Sequence, residues 1–115
     1  MATITEALAI AVEHHQAGRL AEAEALYRDV LANEPNNANA LHLLGVIAKA
    51  QGSYTLAAEY IGKALNFSPD NWLAHFNLGT VYQDQRRLAE AASCFRRAIG
   101  LNPTHAASFA SVHST

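Results

Sequence analysis

The sequence predicts an all-α fold: a right-handed α-solenoid of three helix-turn-helix repeats with a partial C-terminal capping helix. Two observations carry this expectation. Pro35, Pro69 and Pro103 stand 34 residues apart, and Gly45 and Gly79 keep the same spacing. A fixed period of this length is the signature of stacked repeat units. Between the prolines, apolar residues recur at three- and four-residue spacing, the pattern of helices with one buried stripe. The chain has 115 residues and is 50% apolar, enough for one domain with a real core.

The period divides the chain into repeats at about 4–37, 38–71 and 72–105, with a partial fourth unit or cap over 106–115. The first helix is expected near 3–16. Its start, "MATITEALAIAV", carries Glu6 and lacks the basic opening of a signal peptide. The second, near 21–33, opens on "RLAEA", holds Ala23, Tyr27 and Val30, and is stopped by Pro35. Proline cannot continue a helix and biases the residue before it away from one.

The third helix, near 38–50, has Leu41, Leu44, Ile47 and Ala48 on one stripe. The "QGSY" that follows supplies a turn. Gly52 can take the left-handed conformation, and Ser53 can cap the next helix. The fourth, near 54–66, carries Leu56, Tyr60, Ile61, Ala64 and Leu65 before Pro69. The fifth, near 72–84, contains Leu78, Gly79 and Tyr82. The sixth, near 88–100, opens on "RRLAEA" and carries Ala91, Phe95 and Ala98 before Pro103. A seventh helix is expected to start near Thr104, with Phe109 and Val112 at its first apolar positions.

Gly45 sits in the middle of a helix, where glycine costs about 1 kcal/mol relative to alanine. Its recurrence as Gly79 suggests a reason. Ala11, Gly45 and Gly79 on first helices, with Ala23, Ala57 and Ala91 on second ones, would let paired backbones approach closely.

These residues resemble the tetratricopeptide repeat (TPR) family, whose pattern is a large residue, then Leu-Gly, Tyr, Ala, an aromatic and Pro at fixed offsets. The third repeat carries it as Leu78-Gly79, Tyr82, Ala91, Phe95, Ala98 and Pro103; the second as Leu44-Gly45, Ala48, Ala57, Ile61, Ala64 and Pro69. The departures are Ala11 for Gly, His14 and Ala48 for Tyr, and Val30 for Ala.

The resemblance implies a concave face lined by first helices that binds peptides or partner domains. The matching positions are Thr5, Leu8, Val12 and His15, then Asn39, His42, Val46 and Lys49, then Leu73, Phe76, Thr80 and Gln83. Asn77 falls at the edge of the same surface. The strip is thus apolar with neutral polar residues, and Lys49 is its one fixed positive charge. A TPR subclass that clamps a terminal carboxylate uses Lys, Arg and Asn; here Leu8, Val12, Leu43, Leu73 and Asn77 stand at those positions, which speaks against that clamp. A partner that buries apolar side chains suits the strip better. On the same reading, His42 faces that partner and makes binding pH-sensitive.

"ALHLLGVIAKAQG" and "AHFNLGTVYQDQ" are also similar to the TPR arms of O-linked N-acetylglucosamine transferases. That family uses an asparagine ladder along the concave face. Only Asn77 matches it here, with Ala9 and Leu43 at the other two positions.

The function expected is a non-enzymatic interaction scaffold for a protein or peptide. Self-association through the solenoid ends (Ile4, Leu8 and Ala11 at one end, "ASFASV" at the other) is one alternative. The recognition arm of a glycosyltransferase is another. The charge balance, 8 basic against 10 acidic residues, argues against nucleic acid or an anionic membrane as partner. A single cysteine forms no internal disulfide, and with no signal or spanning segment the expected location is cytoplasmic. No phosphate-cradling loop, metal-ligand spacing or nucleophile elbow occurs, so no catalytic, metal or cofactor residue is expected. Cys94 is expected as a packed or half-exposed thiol rather than a nucleophile.

Overall fold

The computed structural model describes residues 3–102. They form six helices: α1 (Ile4–Gln16), α2 (Leu20–Asn33), α3 (Ala38–Ala50), α4 (Tyr54–Phe67), α5 (Trp72–Asp84) and α6 (Leu88–Leu101). Each packs against its neighbour in sequence, and α3 also touches α5. The result is an elongated all-α helical-repeat solenoid, 48 × 27 × 26 Å. The seventh helix, the capping segment 106–115 and Pro103 lie outside the described residues.

The ends of the first helices are built alike. Thr3, Asn37 and Asn71, one repeat apart, are their N-caps, and each side chain accepts from a first-turn amide: Glu6, Ala40 and Ala74. Thr3 and Glu6 complete a reciprocal capping box. Such a cap satisfies one of the four amides that a helix start leaves without an internal partner.

The second helices start differently. Their N-caps, Arg19, Ser53 and Arg87, make no side-chain cap bond. This corrects the expectation for Ser53. That residue has φ −88° and ψ 69° rather than an extended backbone. Its amide is held by the preceding helix, donating to the Ala48 carbonyl at 2.8 Å. The same bond recurs as Arg19 N–H to His14 O and Arg87 N–H to Tyr82 O, both 2.8 Å. With Gly18, Gly52 and Arg86 donating three residues back, these are Schellman closures, which need a left-handed residue in the turn. Gly18 (φ 83°) and Gly52 (φ 79°) supply it; in the third repeat Arg86 takes φ 63°.

Two core clusters sit in the seams. The first joins Ala11, Ala23, Tyr27, Val30, Ala40, Leu44 and Ile47, with Tyr60 packed against it. The second joins Ala48, Ala57, Ile61, Ala74, Leu78 and Val81, with Leu65, Tyr82 and Cys94 packed against it. Leu56, expected on the buried stripe of α4, is instead exposed. The close crossings are as expected. A Cβ on Gly45 would collide with Ile61 Cγ1 and sit 3.1 Å from the Ala57 carbonyl oxygen. A Cβ on Gly79 would sit 2.7 Å from the Phe95 ring.

The two solenoid ends differ. At the N-terminal end Ala11 is fully buried and Leu8 is packed on the first core, while Ile10 of α1 is exposed. At the other end Leu88, Ile99 and Leu101 are exposed. Leu88 and Ile99 stand one repeat beyond Tyr54 and Leu65, which pack in the second seam.

Candidate functional site

The residues expected to line a partner surface lie on α1, α3 and α5. Thr5, Asn39, Leu73 and Gln83 are exposed. Leu8, Val12, His15, Val46, Lys49, Phe76, Asn77 and Thr80 are half-buried. Partly exposed apolar side chains on consecutive first helices are what an apolar partner could cover without unfolding the repeat.

Several of these side chains have partners within the chain. His15 stands edge-on to Tyr27 of α2, with ring centroids 6.4 Å apart. Phe76 lies against Phe95 of α6 at 5.6 Å. The Thr80 hydroxyl donates to the Asn77 carbonyl at 2.7 Å, one turn back in α5. Phe76 therefore belongs both to the surface strip and to the α5–α6 crossing, because Phe95 is the ring that fills the space left by Gly79.

His42 departs from expectation. Its residual exposure is 4%, so it is a core residue and presents no ring edge to a ligand. Its Nε2 lies 2.8 Å from Nδ2 of Asn77. The amide donates, so Nε2 accepts and the imidazole is neutral, with its proton on Nδ1. Burial lowers its pKa from 6.5 to about 4, because desolvation disfavours the charged ring. The expected pH-sensitivity of partner binding near neutrality has no basis in such a group. Asn77 is taken up by the same bond. The two are 35 residues apart, one repeat plus one, an offset that sequence alone could have suggested and that the reading by single positions missed.

The other histidines have local duties. His14 Nδ1 accepts from Arg19 Nε at 2.8 Å, closing the α1–α2 turn. His75 Nε2 donates to the Pro69 carbonyl at 2.8 Å, tying α5 to the linker before it. Among the described residues no three His, Cys, Asp or Glu side chains converge to hold a metal. No helix there is long and apolar enough to cross a membrane. The charge-rich segments carry exposed ion pairs: Glu24–Arg28 at 3.6 Å and Arg87–Glu90 at 2.6 Å. Cys94 is half-buried, and burial, with the Glu90 carboxylate adding to it, pushes its thiol pKa up.

Comparison with known proteins places this architecture. Tetratricopeptide repeat models match residues 8–70 and 72–105. A probable UDP-N-acetylglucosamine–peptide N-acetylglucosaminyltransferase SPINDLY of Hordeum vulgare is 30% identical over 103 residues, 90% of this chain and 11% of that protein. Its counterpart from Solanum lycopersicum is 29% identical over 87 residues, 76% of this chain and 9% of that protein. The chain thus spans about a tenth of the length of these relatives. A mutant of Thermobaculum terrenum O-GlcNAc transferase superposes with a TM-score of 0.86 at 30% identity, over 90% of this chain and 21% of that one. MamA superposes with a TM-score of 0.79 at 18% identity, over 90% of this chain and 61% of that one, a likeness of fold. Repeats of this kind generally mediate contacts between proteins. With matched repeats over most of its length, two helices to each repeat and glycine or alanine at the crossings, the chain belongs to the tetratricopeptide repeat family.

Proposed function

We propose that the chain is a non-enzymatic scaffold that binds a peptide or partner protein along the strip formed by α1, α3 and α5. The observation that carries this reading is the row of half-buried or exposed apolar side chains, Leu8, Val12, Val46, Leu73 and Phe76. Neutral Thr5, Asn39 and Gln83 flank it, and Lys49 is its one fixed charge. Such a strip suits a partner that contributes apolar anchors rather than a carboxylate terminus. The experiment is a peptide array probed with the wild type and with Phe76→Ala and Val46→Lys. Hits weakened by either variant support the reading; hits unaffected by both refute it.

A second reading has its own support: the chain is the recognition arm of a larger glycosyltransferase. The likeness to the O-GlcNAc transferase and SPINDLY proteins favours it, and the genomic sequence beyond residue 115 tests it. Self-association through the α6 end draws on the exposed Leu88, Ile99 and Leu101. A monomer mass that stays constant with concentration in light scattering rules it out.

A further inference from the structure

A cavity of about 330 Å³ opens between α4, α5 and α6, and none of its lining residues belongs to the first-helix strip. Its apolar wall is Leu65, Leu78 and Tyr82, with Cys94 facing them from α6. The preceding repeat explains why it exists. Tyr60 of α4, one repeat before Cys94, packs onto the first core. In the third repeat the corresponding side chain is a cysteine, and the ring is missing. The neighbouring change acts in the same direction. Leu41 is buried in the second repeat, whereas its counterpart His75, half-buried, lines the cavity with its ring tied to the Pro69 carbonyl. A dry cavity of about 150 Å³ already accepts a benzene ring, so this one has room for an aromatic side chain.

The rim adds a charge. Arg97 lines the cavity and also a second hollow, which it shares with Arg96, Gly100 and Leu101. Neither arginine has a carboxylate within ion-pair reach among the described residues. Glu90, at the other side of the rim, is held by Arg87 at 2.6 Å. Stacking of a further repeat would leave this face open. On α4 the counterparts of Arg97, Gly100 and Leu101, namely Lys63, Asn66 and Phe67, stay exposed although α5 packs alongside.

We propose that this cavity receives a single aromatic side chain of phenol size from a partner peptide that carries an acidic group beside it. The ring takes the volume that Tyr60 fills one repeat earlier, and the carboxylate meets Arg97 and Arg96. The site is independent of the first-helix strip.

The test uses p-cresol and 3-(4-hydroxyphenyl)propionate as probes at millimolar concentration, followed by amide chemical shifts. Both should move the resonances of Leu65, Leu78 and Cys94. At low salt the carboxylate probe should bind roughly two- to five-fold more tightly, the worth of an exposed ion pair. Arg97→Gln should remove that advantage, and Cys94→Tyr should abolish binding of both probes and raise the thermal midpoint. In the unaltered protein, saturating p-cresol should slow alkylation of Cys94, the sole cysteine, by iodoacetamide. Shifts confined to α1 and α3, no shifts at all, full binding by Cys94→Tyr, or an unchanged alkylation rate would each overturn the proposal.

Discussion

At the scale of single residues, the same amino acid has opposite consequences in facing helices. Gly45 has no room for a Cβ, because Ile61 and the Ala57 carbonyl occupy it, whereas nothing lies within 4 Å of a Cβ on Gly62. Gly45→Leu should therefore destabilise by roughly 1–3 kcal/mol through overpacking. Gly62→Ala should stabilise by up to about 1 kcal/mol through helix propensity. Urea unfolding of both variants checks this, and equal shifts of the same sign would contradict it. The recurrence of Gly45 at Gly79 made the crossing legible in the sequence. The burial of His42 was harder to read: its partner Asn77 comes from the next repeat, and only comparison of positions across the period brings the two together. It too has a measurable effect. With a pKa of about 4 when folded and 6.5 when unfolded, the ring takes up its proton more readily in the unfolded chain. The stability associated with it is intact above pH 6.5 and is lost as pH falls towards 4, on the order of 3 kcal/mol in full. Unfolding midpoints over that window should fall more steeply in the wild type than in His42→Gln.

At the scale of elements, the helix boundaries were legible because prolines, the period and the apolar stripes all point to the same six segments. What the sequence concealed is how the second helices begin. A serine before an apolar run reads as a side-chain cap, yet Ser53, though it stands at the N-cap, is set by the closure of α3 and its hydroxyl makes no cap bond. Backbone geometry imposed from the preceding helix overrides the local signal. That closure needs a left-handed residue, and the third repeat places Arg86 there. A non-glycine residue in this region costs roughly 1–2 kcal/mol. Arg86→Gly should recover part of that cost and raise the thermal midpoint, and a lowered midpoint would show that Arg86 contributes something its backbone does not. The equivalent turns, already glycine, offer the comparison.

At the scale of the whole molecule, each helix leans mainly on its neighbours in sequence, so stability is distributed along the array rather than held in one centre. The helices α3 and α4 have partners on both sides, whereas α6 leaves Leu88 and Ile99 exposed. Hydrogen exchange should accordingly be slowest in the middle of α3 and α4 and fastest in α1 and α6; uniform protection across all six would contradict this. The solenoid was legible at this scale from the period alone. The cavity beside Cys94 was not, because it arises from a side chain missing relative to the repeat before it, which only shows once the seams are superposed.

The bond between His42 and Asn77 also bears on the order of the array. At the junction of the first and second repeats the corresponding positions are Leu8 and Leu43, both packed on the first core. An apolar pair thus joins one junction and a polar pair the next. Exchanging repeats would set the imidazole against a leucine, or the amide against one, and strand a buried polar group, a cost of about 1–3 kcal/mol. The repeats share one architecture but are not interchangeable parts: their succession is keyed, lock by lock, by which side chains can meet.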